Sequence, residues 1–163
     1  MLRQTLLDDL IQGFFFGLNS GVITTCGLIT GLIQTNITYK ILIISVFSLA
    51  ISDGFSESYG LYLSKKAEDI KDFTHGPLLS LISLFTTKFV IVISFLIPLL
   101  FTKSLKIYKN LWWVIGWSVL LLIILDYNLC SMRNENFYIY FIPHMIVLFI
   151  VIYFTKYFSN LLK

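Results

Sequence analysis

The chain has 163 residues, 57% of them hydrophobic and only 13% charged, with a mean hydropathy of +0.84. Soluble domains carry about a quarter charged residues, so composition speaks against a water-shielded core and for apolar surface buried in lipid and helix–helix contacts. The net charge of +3 is spread along the chain without a basic stripe, which argues against nucleic acid as a partner.

The apolar runs predict an all-α, polytopic membrane protein: one transmembrane domain over residues 1–163 with five helices. The N-terminal stretch MLRQTLLDDLIQG has one Arg, two Asp and no small-residue cleavage site, unlike a removable signal peptide. The first segment covers about residues 10–34 and carries Gly13, Gly17, Gly21, Gly27 and Gly31. The second covers about 41–63, and the third about 78–101 with Pro98 near its end. The fourth covers about 111–132 and the fifth about 137–157. Each is long enough for a hydrocarbon core of ~30 Å at ~1.5 Å per residue. Barrel strands would be about 10 residues long and alternate in polarity; these segments do neither. Trp112, Trp113 and the tyrosines near segment ends suit an interfacial belt. Cys26 and Cys130 both fall inside apolar segments and read as packing residues.

The longest polar connection is the loop 65–76, KKAEDIKDFTHG, too short for a second folded domain. Five spans put the termini on opposite sides. Arg3, Lys65, Lys66, Lys71 and Arg133 then share one side, and Lys40, Lys103, Lys106, Lys109, Lys156 and Lys163 the other. That balance gives the positive-inside rule nothing to decide on.

The informative residues are those that are unfavourable in lipid. Asp53 and Glu57 lie four apart in the second segment, on one helix face. Lys88 sits near the middle of the third, and Asp126 and His144 lie in the fourth and fifth. A charge at the bilayer centre costs about 2.5–3.5 kcal/mol on insertion scales, so such groups face a partner, a cavity or a pathway. Counting from the ends that share the N-terminal side puts Asp53 and Lys88 roughly 15 Å deep, Asn19 and Ser20 roughly 13–15 Å, and Glu57 about 9 Å. Asn19, Ser20, Asp53, Glu57 and Lys88 therefore make one expected polar layer. Asp126 with His144 makes another.

Two carboxylates one turn apart, with amide and hydroxyl oxygens from a neighbouring helix, suit a hard or borderline divalent cation. Two acids that close also repel in low dielectric, so protons compete with metal for them. The alternative is that Lys88 neutralises Asp53 and the pair only holds helices together. For Asp126 and His144 a hydrogen bond joining two helices is the preferred reading over a metal or proton-relay site. Gly13, Gly17 and Gly21, and then Gly27 with Gly31, make small-xxx-small stripes that let helix backbones approach, within a chain or between chains. Glu68, Asp69, Asp72 and His75 form an acidic cluster that would pre-concentrate metal at a pathway mouth; its lysines favour an ordinary solvated helix end.

The run Gly17-Leu18-Asn19-Ser20-Gly21-Val22-Ile23-Thr24-Thr25, with Gly27 and Gly31 after it, resembles the first helix of the vacuolar iron transporter family. Ile51 to Ser64, reading ISDGFSESYGLYLS and running on into Lys65-Lys66-Ala67-Glu68, resembles the family's second helix. A short branch with GVITTxGL in the first helix is closer still. Thr87-Lys88-Phe89 and Pro98 fit that branch's third helix. The resemblance covers about residues 10–100. It implies a five-helix homodimer that moves Fe²⁺ or Mn²⁺ out of the cytosol against protons, between the first two helices of both subunits. The cytosolic N-terminus follows from the same resemblance. Departures are visible. Ser20 stands where the family has an Asp, Glu57 where it has a Met, Leu49 where it has a Glu, and Asp53 where larger members have Gly. The family's large cytosolic metal-binding insertion shrinks here to the loop 65–76.

The expectation is thus a multi-pass, homodimeric, proton-coupled transporter in a lipid bilayer, with Fe²⁺ or Mn²⁺ as substrate and no tightly bound cofactor. Asp53 and Glu57 bind metal and exchange protons; Asn19, Ser20 and Thr24 add oxygen ligands. Lys88 holds Asp53 charged in the empty state. The rivals are a non-transporting scaffold and a passive channel. An enzyme is not expected, because no Ser–His or HExxH constellation accompanies the acid pair.

Overall fold

The computed structural model describes residues 2–35, 37–68, 75–104 and 111–161. Among these no residue lies in a strand, and the chain forms six helices. They are α1 (Leu2–Gln34), α2 (Tyr39–Glu68), α3 (Gly76–Ser94), α4 (Leu96–Ser104), α5 (Leu111–Arg133) and α6 (Phe137–Leu161). Five stretches are long and apolar enough to cross a membrane: Leu6–Gln34, Tyr39–Ala67, Gly76–Phe101, Leu111–Arg133 and Phe137–Leu161.

The helices outrun the expected segments. α1 begins at Leu2, and α2 continues through Lys65, Lys66 and Glu68 into the expected loop. No Gly or Pro interrupts the chain between Leu61 and Lys71, and the two lysines sit in α2's last turn, where the helix dipole favours cations. The third segment is two helices. Pro98 has no N–H to give and its ring crowds the carbonyl four residues back, at Ser94. The break falls at Phe95, whose N–H turns to Val92 O at 3.2 Å. The Ser94 hydroxyl donates to Ile91 O at 2.6 Å and accepts the Trp117 indole N–H at 3.2 Å, so α5 braces the break. Asn134, at φ 52°, ends α5 in the left-handed conformation that Asn tolerates, and this short turn sets α5 and α6 side by side.

α1 is the hub. It packs on α2 and α3 on one flank and on α5 and α6 on the other, whereas α6 touches only α1 and α5 among the described helices. Leu18, Val22, Cys26 and Ile29 of α1 are buried with Leu42, Val46 and Ala50 of α2, Val92 and Phe95 beside them, and Val114, Leu122 and Leu125 of α5.

The glycine stripes set the closest approaches. A Cβ on Gly13 would stand 2.5 Å from Ser80 O, and one on Gly17 2.6 Å from Leu84 O. α3 therefore lies backbone-to-backbone on α1, an approach only small residues allow. Ser80 and Ser83 use it to donate to the carbonyls of Asp9 and Leu10 at 3.0 and 2.7 Å. Gly27 and Gly31 face α6 instead, with Val151 and Thr155 filling the space. Both stripes pack within the chain.

Candidate functional site

α3 buries one row of residues four apart, Ser80, Leu84, Lys88 and Val92. That row is the face pressed on α1's glycines, so Lys88 enters the protein interior by register. A Cβ on Gly21 would lie 3.4 Å from Lys88 Cγ. The missing side chain makes room for the lysine's aliphatic stem.

Lys88 is 0% exposed, and its Nζ stands 2.6 Å from Asp53 Oδ2 and 2.6 Å from Glu57 Oε2. The two acids come from adjacent turns of α2, as the four-residue spacing requires, and each side chain is 27% exposed. By distance both contacts are ion pairs. Their angles lie outside the hydrogen-bonding range for Lys88 Nζ and Asp53 Oδ2, so charge, not donor alignment, holds the ammonium. Ser20 of α1 donates to Glu57 Oε2 at 2.5 Å. Three helices thus contribute to one cluster of two carboxylates, one ammonium and one hydroxyl. With all three charged groups ionised, the cluster carries one negative charge in excess.

Beside the cluster, Phe85 packs against Gly54 at 3.3 Å from its would-be Cβ and lies tilted by 36° on Phe55, 4.4 Å between ring centres. Phe89 continues the row at 5.9 Å. These rings form an apolar wall on the α2–α3 side, which strengthens the charge interactions behind it.

Of the expected layer, the structure brings together Ser20, Asp53, Glu57 and Lys88. No hydrogen bond joins Thr24 to the cluster's side chains: its hydroxyl donates to its own helix at Ser20 O, 2.8 Å away, which leaves its oxygen able to accept. Asn19 departs further. One residue is about 100° of helix, and that turn takes Asn19 away from Glu57 into a cavity on α1's other flank, which it lines with Gln12, Phe16, Arg133 and His144. Its Oδ1 is buried without a hydrogen-bond partner. The second expected layer is present as a contact: His144 Nδ1 lies 2.6 Å from Asp126 Oδ1. Within the acidic cluster, Asp69 and Asp72 lie outside the described residues. Glu68 closes α2, and His75 is exposed just before α3. Among the described residues no three His, Cys, Asp or Glu side chains gather as a metal-binding group.

One contact had no counterpart in the sequence reading. Asp9 of α1 pairs with Lys65 of α2, both largely buried. Asp9, one residue before the expected first segment, was the available signal; Lys65 counted only as a loop charge because α2 was expected to stop earlier.

Comparison with protein-family models, with curated proteins and with solved structures finds no match.

Proposed function

We propose that this chain is a multi-pass membrane transporter that exchanges a divalent cation, Fe²⁺ or Mn²⁺, for protons, moving metal out of the cytosol as a homodimer. The observation that carries the reading is the Lys88 ammonium held between Asp53 and Glu57 on the α1 side of α2. Both carboxylate oxygens lie 2.6 Å from one nitrogen, so they are no farther apart than twice that distance. A small closure lets them hold a divalent ion at about 2.1 Å each.

Lys88 is a tethered cation in the substrate's place. Metal enters as the ammonium gives up its proton, which takes the cluster from one negative charge when empty to neutral when loaded. Net charge then links loading of metal to release of a proton, with no need for a third acid. The choice of Fe²⁺ or Mn²⁺, the direction and the dimer rest on the resemblance of residues 10–100 to the vacuolar iron transporter family.

A structural reading has its own support, because Lys88 already offsets one of its partners' two charges and a buried ion cluster fixes helix register. Flux of Fe²⁺ and Mn²⁺ into liposomes holding the purified chain, with and without a pH gradient, separates the two. Flux that follows the gradient and is lost in Asp53→Asn and Glu57→Gln supports exchange. Folded protein that moves neither metal under any gradient leaves the cluster as a structural clamp.

A further inference from the structure

The cavity on the far flank of α1 is not used by the cation cluster. It has a volume of about 720 Å³ between α1, α5 and α6. Its wall begins at Asp8 and Arg133, at the ends of α1 and α5 that lie on one side of the bundle, and reaches Asn19 and His144. From Asp8 to Asn19 is eleven residues, or ~16 Å of helix, about half of a hydrocarbon core. The mouth is charged and the depth ends in polar groups, with apolar side chains such as Ile11, Phe16 and Leu125 between them, so water has polar partners at both ends.

Behind the inner wall stands a buried acid. Asp126 is 0% exposed, its Oδ1 is bonded to His144 Nδ1, and its Oδ2 has no hydrogen-bond partner in the protein. An unpaired carboxylate oxygen in such a place is strongly unfavourable. Imidazole and carboxylate together share protons as one unit, and gaining one proton cancels the pair's negative charge. The titratable or charged groups that face His144 are Asp126 and Arg133 from α5 and Asp8 from α1. α6 packs on no other described helix, and its Tyr140 is engaged by Glu135.

We propose that this cavity is a one-sided water path that brings protons to the Asp126–His144 pair. Hydronium at the Asp8–Arg133 mouth gives its proton to the pair and leaves as water. Proton binding here stands on the cavity and the orphaned carboxylate. Its use as the counter-ion site rests on the exchange reading above: Asn19 on this wall and Ser20 on the cation cluster are consecutive residues of one rigid helix, so a shift of α1 reaches both.

The test uses the full chain in lipid nanodiscs with His75→Gln, which leaves His144 as its one histidine. The His144 ring resonances are followed by NMR between about pH 4 and 9. In parallel, Gln12→Cys and Phe16→Cys, made in a Cys26→Ala, Cys130→Ala background, are exposed in sealed liposomes to a membrane-impermeant charged thiol reagent. The expected result is a reversible His144 titration, a midpoint moved by at least about one pH unit in Asp126→Asn, and labelling of both cysteines. A His144 ring silent over that range, or a Phe16→Cys that stays unlabelled where Gln12→Cys reacts, overturns the proposal. The titration and the labelling use native Asp126, so both stand even where Asp126→Asn does not fold. In flux assays His144→Gln keeps cation binding and loses its response to the pH gradient. A wild-type chain that moves no metal removes the exchange reading and leaves the titration untouched. Gradient-driven flux that is unchanged in His144→Gln removes the pair from the coupling.

Discussion

Asn19 and Ser20 are consecutive in sequence, yet Ser20 donates to Glu57 Oε2 across the α1–α2 contact while Asn19 lines the cavity that His144 closes. One turn-third of helix separates two polar sites, and α1 is the wall between them. Most variants below act on that wall or on what it holds.

Removing the lysine should be severe. Lys88→Met leaves Asp53 and Glu57 facing each other without a cation, and breaking a buried ion cluster costs about 3–5 kcal/mol. Adding Asp53→Asn and Glu57→Gln to Lys88→Met should return most of that loss, because no uncompensated charge remains. Unfolding in detergent micelles measures both. A Lys88→Met chain as stable as the wild type would show that the ammonium is not what balances the acids.

The glycines should separate by position. Gly17→Ala puts a methyl 2.6 Å from the Leu84 carbonyl, so α3 has to move away; overpacking of this kind costs about 1–3 kcal/mol. Gly60 and Gly116 meet nothing within 4 Å. There the same change should stabilise by up to about 1 kcal/mol through helix propensity. Equal losses at Gly17 and Gly60 in the same unfolding assay would contradict the close α1–α3 approach.

Two hydroxyls of α1, those of Ser20 and Thr24, should differ in transport. Ser20→Ala removes a donor to a carboxylate, an interaction of about 1.5–3 kcal/mol, and should change the apparent affinity for Mn²⁺ by about tenfold or more. Thr24→Val removes a hydroxyl already committed to the Ser20 carbonyl and should leave affinity within about threefold. Concentration dependence of flux in liposomes gives both numbers. The reverse ranking would place Thr24, not Ser20, beside the substrate.

The Asp9–Lys65 pair should matter modestly. Both side chains keep some solvent contact, 23% for Asp9 and 13% for Lys65. Asp9→Asn is expected to cost about 1 kcal/mol, and because a partly buried pair is screened little, most of that loss should persist at high salt. A loss as large as that of Lys88→Met would mean that this contact, and not the deeper cluster, ties α1 to α2.

Much of this was legible from spacing and length. Five apolar stretches of sufficient length gave the spans. Counting turns from the segment ends placed Asp53 and Lys88 at one depth, where they meet. What helical counting does not supply is azimuth. α1 is apolar nearly all round, so periodicity carries no information on which neighbour each of its polar residues faces. That is why Asn19 and Thr24 were grouped with Ser20, although only Ser20 reaches α2. The break at Phe95 had its cause in plain view at Pro98, but the proline lies close to the end of the apolar run, where a stop and a kink leave the same pattern. The Asp9–Lys65 contact depended on α2 running past the residues where its hydropathy falls.

The hub position of α1 also sets an order of events during synthesis. α1 is complete at Gln34, while the α3 surface that covers its glycines ends only at Ser94. At about 5–20 residues per second, the first helix waits roughly 3–12 s for its main partner. Glu57 of α2 emerges partway through that wait, but a bare glycine stripe faces lipid or whatever helix is nearby until α3 is made, and Asn19 waits longer still, for α5 and α6. The element on which the whole bundle is assembled is therefore the one that spends longest without its neighbours, and a helper that shelters small-residue helices during insertion would act on it before any other part of the chain.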